Sequence, residues 1–276
     1  MKQDEVKKAV REGYAKVAKG GGSCCGPAQS CCGGAPAAKE LSRRIGYSDE
    51  EMAAVPEGAN LGLGCGNPVA LASLKPGETV LDLGSGAGFD CFLAANRVGN
   101  KGKVIGVDMT PEMLEKAREN ARTAGVANVE FRLGEIENLP VADNSVDAVI
   151  SNCVINLAPD KRRVFAEAFR ALRPGGRLMV SDLVLRRSLP KAIVDSVAAY
   201  VGCLAGAMLK EDYLAAIHGA GFGEVKVVGE DSFPVDLMVN DPTAQAVLKD
   251  LKIPREEVGR IAESVVSVKV SARKPA

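Results

Sequence analysis

From residue 79 onward the chain alternates short, nearly all-apolar runs with stretches whose apolar residues recur at helical spacing. The runs are TVLDLG, KVIGVD, VEFRLG, VDAVIS and GRLMVSDL, with GEVKVVG and SVVSVKVSARK following near the C-terminus, separated by about thirty-five less regular residues. Strands buried on both faces read as continuous apolar runs, and the helices between them supply the covering layers. The pattern predicts an α/β fold with a doubly wound, mostly parallel sheet of seven strands. Two intervening helices are marked at both ends. Thr110-Pro111-Glu112 supplies a cap, a proline in the first turn and an acid at the positive helix end, and MLEKARENARTAG closes at Gly125. DKRRVFAEAFRALRPGG predicts a helix from about residue 160 to 172, stopped by Pro174 and two glycines.

The N-terminal part has a different texture. Val6, Val10, Tyr14 and Val17 fall at three- and four-residue spacings, which suits one amphipathic helix. Residues 20–38, GGGSCCGPAQSCCGGAPAA, are rich enough in Gly, Ala and Pro to predict a mobile arm without regular structure. Its chemistry lies in two pairs, Cys24-Cys25 and Cys31-Cys32. SDEEMAAV, residues 48–55, predicts a short helix capped by Ser48 with Glu51 completing a capping box, and Pro56 ends it. The organisation expected is an N-terminal helical and Cys/Gly-rich arm over residues 1–55 and one domain over residues 56–276.

Composition narrows the functions. The 276 residues are 46% hydrophobic and carry 35 basic against 35 acidic side chains, so nothing in the charge calls for a nucleic acid or an acidic membrane. The charged N-terminus lacks the apolar core of a signal peptide, and no run approaches a membrane span, which predicts a cytoplasmic protein with a small-molecule substrate. In such a reducing compartment eight cysteines read as ligands, nucleophiles or redox partners. With His218 as the lone histidine, histidine-based zinc catalysis is disfavoured.

LDLGSGAGFD puts Gly84, Ser85, Gly86 and Gly88 in a tight turn where the first strand meets its helix, so that backbone can approach a ligand below a helix N-terminus. Asp108 ends the second strand 24 residues after Gly84, where a carboxylate can accept hydrogen bonds from both ribose hydroxyls. The glycine pattern is shorter than the G-x-G-x-x-G of dinucleotide sites, and Asp82 stands just before it. It resembles the first motif of S-adenosylmethionine-dependent methyltransferases. That resemblance implies a Rossmann-like class I methyltransferase domain, with Asp82, Gly84, Ser85, Gly86, Asp108 and Met109 around the cofactor. It also implies Glu135 and Ile136 at the adenine and Asn152 beside the cofactor after the fourth strand.

Cys153 follows that fourth strand at once, at the carboxyl edge where ligands of doubly wound sheets lie. Cys65 in NLGLGCGNP and Cys203 in YVGCLAGAM have glycine neighbours, which gives access to sulfur and suggests room for something bulky. Cys91, inside the helix after the glycine turn, reads as core. The stretches NLGLGCGNPVALASLKPGETVLDLGSGAGFDCFLAA, VIGVDMTPEML, SNCVINLAPDK and GCLAGAM together resemble arsenite methyltransferases over roughly residues 56–220. By that resemblance Cys65, Cys153 and Cys203 bind trivalent arsenic as thiolates, soft ligands for a soft centre. The substrates it implies are arsenite and methylated arsenic(III). An arm cysteine, Cys31 or Cys32 with Cys32 preferred, would join Cys65 in a disulfide that re-reduces arsenic, reopened by thioredoxin or a glutathione-type reductant. The chain departs from eukaryotic relatives in having Leu61 and Leu63 where those have aromatic residues. Two other readings share parts of the pattern. A class I methyltransferase acting on a small carbon, oxygen or nitrogen acceptor, such as a quinone precursor or sterol, would use the same cradle without the three thiols. A metal-binding protein would use the arm's four cysteines, although adjacent cysteines fit one tetrahedral ion poorly.

Overall fold

Seven strands form one sheet in the order β3-β2-β1-β4-β5-β7-β6. They are β1 (Thr79–Leu83), β2 (Lys103–Asp108), β3 (Val129–Leu133), β4 (Val146–Asn152), β5 (Leu172–Leu185), β6 (Gly223–Ser232) and β7 (Val265–Arg273). The computed structural model describes residues 3–20, 35–68, 72–232 and 255–276. Strands β1 to β5 run parallel, and β7 runs antiparallel to both β5 and β6. The doubly wound sheet expected from the apolar runs is therefore present. Its centre is dry: Leu81, Leu83, Val149, Ile150, Leu178 and Val180 are fully buried.

The helices are α1 (Gln3–Ala18), α2 (Ala35–Arg44), α3 (Asp49–Ala53), α4 (Phe89–Val98), α5 (Pro111–Ala124), α6 (Lys161–Ala171), α7 (Lys191–Val194), α8 (Val197–Val201), α9 (Lys210–Gly219) and α10 (Arg255–Ser264). The Ser48–Glu51 capping box of α3 is complete, with both reciprocal bonds made. Gly125 closes α5 in the left-handed conformation as expected, but Thr110 makes no side-chain cap bond there. Instead Asp108 Oδ1 accepts from the Thr110 N–H at 2.8 Å. Helix α6 stops at Ala171 because Leu172, two residues before Pro174, is already extended. Among the described residues, no helix is long and apolar enough to cross a membrane.

Two expectations change. Residues 35–38 were assigned to an unstructured arm, yet they open α2. The alanines favour helix, and Pro36 lies in the first turn, where its missing N–H costs nothing. The stretch between the last two strands was expected to be irregular, and its end forms α10, which runs directly into β7. Cys24, Cys25, Cys31 and Cys32 lie outside the described residues.

Candidate active site

The sheet reverses its winding between β1 and β4, and a cavity of about 650 Å³ opens at their carboxyl ends. Asp82, Ser85, Gly86, Asp108, Met109, Ile136 and Asn152 line it, and so do Cys65, Cys153 and Cys203.

The glycine turn is held by the second strand. Val107 O accepts from Gly84 N at 2.8 Å and from Ser85 N at 3.0 Å, and Asp108 Oδ2 accepts from Gly86 N at 3.0 Å. The three glycines are left-handed for different reasons. A Cβ on Gly84 would meet Val154 at 2.3 Å and one on Gly88 would meet Phe92 at 2.8 Å, whereas Gly86 faces open space. Gly86 thus leaves its backbone open to the cavity. Beside it the Ser85 hydroxyl is buried without a partner. Asp82 and Asp90 both line the cavity. Burial, with repulsion from Asp90, holds Asp82 well above the usual carboxylate range, and burial pushes Asp90 up to about 6. A cationic group brought here would be stabilised by both carboxylates. An open backbone turn, an unpartnered hydroxyl and two buried acids fit a cofactor that bears ribose, ammonium and sulfonium groups.

Glu135 is engaged by the N-terminal helix. Its carboxylate faces α1, where Lys7 Nζ lies 2.6 Å away and Arg11 3.6 Å. Gly134, Ile136 and Glu137 line the cavity there, and Lys7 also reaches Glu137 at 3.1 Å. Val6 and Val10 of α1 join the apolar cluster that contains Cys65, Leu157 and Cys203. The N-terminal helix therefore forms a wall of the site.

Three loops bring the thiols together. Cys153, straight after β4, has φ 57°, and Cys203 has φ 64°. Left-handed backbone at a non-glycine residue is costly and clusters at functional sites. The Cys153 N–H donates to Ser181 O at 2.8 Å, and the Cys203 thiol donates to Cys153 O at 3.1 Å. The sulfurs of Cys65 and Cys153 and a carboxylate oxygen of Asp182 lie within 4.8 Å of one another. Glycines around these thiols also permit close packing. A Cβ would meet the Asn152 amide at 2.6 Å on Gly64, Ser181 Oγ at 1.9 Å on Gly66 and Asn156 O at 2.1 Å on Gly206.

The electrostatics favour neutral sulfur. Burial pushes the Cys65 thiol up, and hydrogen bonding with the Cys203 and Cys65 sulfurs, aided by burial, holds Cys153 well above the ordinary thiol range. Asp182 lies beneath them, fully buried on β5. It accepts from Asn156 Nδ2 at 2.9 Å, from Leu183 N at 3.0 Å and from the Tyr213 hydroxyl at 3.2 Å, and burial pushes it up to about 7. Asp182 escaped sequence reasoning, although an acid inside the apolar run LMVSDLVL was a visible signal. Cys91 is core as expected, fully buried, with its thiol donating to Asp82 at 3.2 Å.

Comparison with known proteins agrees with this arrangement. A family profile described as a methyltransferase domain matches residues 74–221. An arsenite methyltransferase of Halobacterium salinarum is 48% identical over 99% of this chain and 68% of its own length. One from Aquipseudomonas alcaligenes is 42% identical over 62% of this chain, which spans 51% of that relative. The crystal structure of an arsenic(III) S-adenosylmethionine methyltransferase from Chlamydomonas reinhardtii superposes with a TM-score of 0.62 at 33% identity, covering 86% of this chain and 73% of that one. With its seven-stranded doubly wound sheet, its glycine turn and three thiols at one cavity, the chain belongs to the arsenite methyltransferase family of S-adenosylmethionine-dependent class I enzymes.

Proposed function

We propose that this chain methylates trivalent arsenic, with Cys65, Cys153 and Cys203 holding the arsenic beside the cofactor. The observation that carries this reading is the convergence of three thiols, from loops far apart in sequence, on the cavity that contains the glycine turn. Asp82, Ser85, Gly86, Asp108, Met109 and Ile136 would hold S-adenosylmethionine. When bound, the cofactor supplies a methyl group on a sulfonium sulfur, which departs as S-adenosylhomocysteine.

The chain's part is to bind, orient and dry the substrate. Arsenous acid exchanges its three hydroxyls for three thiols. Each thiol proton leaves on a hydroxyl, so three water molecules depart and no net charge enters the pocket. The raised thiols suit this exchange, because a buried neutral trithiolate complex avoids the cost of isolated charges. Three sulfurs on one side leave the arsenic lone pair on the other, and it forms the new arsenic–carbon bond. Holding the reactants aligned can contribute roughly 7–11 kcal/mol of the barrier. Bond formation takes arsenic formally from the trivalent to the pentavalent state, and two electrons must return before another cycle. Cys65 with an arm cysteine, Cys32 in our reading, would supply them by forming a disulfide, reopened by a thioredoxin- or glutathione-type reductant. That chemistry belongs in the reducing cytoplasm.

The test is to incubate purified protein with arsenite, a thiol and S-adenosylmethionine labelled in its methyl group. Mass spectrometry should find label in methylated arsenic. No such product, with label instead on an added quinone precursor, would favour a carbon acceptor.

A further inference from the structure

We infer that Asn152 is the positioning residue for the Cys65 thiol, its amide clamping the Gly64–Gly66 loop onto the start of α4. The inference rests on the reading of Cys65 as an arsenic ligand. Cys65 lies between α3 and β1 at a point that is in neither helix nor strand, so its backbone has no ladder to hold it. Asn152 supplies a substitute. Its Oδ1 accepts from Cys65 N at 3.0 Å, and its Nδ2 donates to Gly66 O at 2.9 Å. This two-point contact on one peptide segment is what a neighbouring strand would otherwise provide.

The same nitrogen reaches Tyr47 Oη at 2.8 Å and Asp90 Oδ2 at 3.1 Å, and the Tyr47 hydroxyl donates to Asp90 Oδ1 at 2.7 Å. Asp90 is in the first turn of α4, directly after the glycine turn. Two N–H bonds thus serve three protein acceptors, which leaves the Asn152 amide no donor for a ligand. Asn152 lines the cavity, and its hydrogen bonds join the cofactor turn to the thiol loop. Gly64 belongs to the same device, since a side chain there would strike the Asn152 amide. On the far side of the loop, Ser267 of β7 donates to Cys65 O at 2.7 Å. Cys153 and Cys203 are fixed by left-handed backbone and by bonds that do not involve the Asn152 side chain.

The experiment compares Asn152→Ala, Asn152→Asp and Cys65→Ser with the parent protein, using arsenite and monomethylarsonous acid as separate ligands. Arsenite needs three sulfurs, whereas the methylated acid can be held by Cys153 and Cys203 alone. Asn152→Ala should weaken arsenite binding about ten-fold or more, the scale of a net hydrogen bond with its desolvated partner. It should leave the methylated acid within a factor of two to three. Iodoacetamide labelling followed by peptide mass spectrometry should show faster alkylation at Cys65 with Cys153 and Cys203 unchanged. Asn152→Asp keeps the acceptor for Cys65 N–H but loses both donors, so it should show the same pattern and guards against misfolding of the alanine variant. Equal weakening of both ligands, or unchanged Cys65 alkylation in both variants, would overturn the inference. If Cys65→Ser binds arsenite like the parent, the arsenic reading itself fails, while the alkylation readout still tests the clamp.

Discussion

Replacing Gly66 with alanine isolates the packing that fixes Cys65. Gly66 is outside the left-handed region, so an added methyl causes no backbone strain and its effect is steric alone. The new Cβ would lie 1.9 Å from Ser181 Oγ and 2.8 Å from Ser181 Cβ. Rotating the hydroxyl away relieves the first clash and leaves the second. Ser181 cannot retreat, because it is fully buried on a central strand paired with Asn152 on one side and Lys269 on the other. The loop must therefore lift, carrying Cys65 with it. Overpacking of this kind costs about 1–3 kcal/mol. For a protein of this size that corresponds to a fall in Tm of roughly 2–12 °C. Arsenite affinity, measured by calorimetric titration, should fall with it as the third sulfur moves away. Adding Ser181→Gly removes both clashing atoms and should recover most of the binding, at the lesser cost of about 0.5–1 kcal/mol for glycine in a strand. A Gly66→Ala variant that melts and binds like the parent would refute the reasoning. So would a double variant no better than the single one.

Other outcomes are equally specific. Asp182 binds its proton more tightly in the folded state, so its contribution to stability is full at low pH and is lost as pH rises from its ordinary 3.8 through about 7. Chemical denaturation at pH 5 and pH 8 should show Asp182→Asn lacking a loss on the order of 2–3 kcal/mol at most; identical pH profiles would dismiss the burial argument. Asp108→Ala should weaken S-adenosylmethionine binding in calorimetry and leave arsenite binding nearly unchanged, because the Asp108 carboxylate holds the Gly86 and Thr110 N–H groups of the cradle. If protonated thiols exchange with neutral arsenous acid, the heat of arsenite binding should be the same in buffers of different ionisation enthalpy, and a buffer-dependent heat would show that thiolates are present beforehand.

The sheet was legible because strands buried on both faces leave uninterrupted apolar runs, and the cradle because only glycine serves at Gly84, Gly86 and Gly88. Cys65, Cys153 and Cys203 stood out as glycine-flanked thiols in resembling stretches, although the tight packing that Gly64 and Gly66 permit was not legible. What escaped has little local signature. Lys7 meets Glu135 across 128 positions and Ser267 holds Cys65 O across 202. Tyr47 looks like any core aromatic until Asp90 and Asn152 are seen around it. Helices α7 and α8 went unread because they are only four and five residues long, and α8 carries no charged residue to define a polar face.

X-ray absorption at the arsenic edge tests the three-thiol site most directly. The protein should carry serine at Cys24, Cys25, Cys31 and Cys32, be loaded with one equivalent of arsenite and contain no added thiol. Cys65, Cys153 and Cys203 acting together give three sulfur neighbours and no oxygen, falling to two sulfurs and one oxygen in Cys65→Ser. An arsenic centre that keeps oxygen neighbours in the parent protein, or is unchanged by Cys65→Ser, would contradict it.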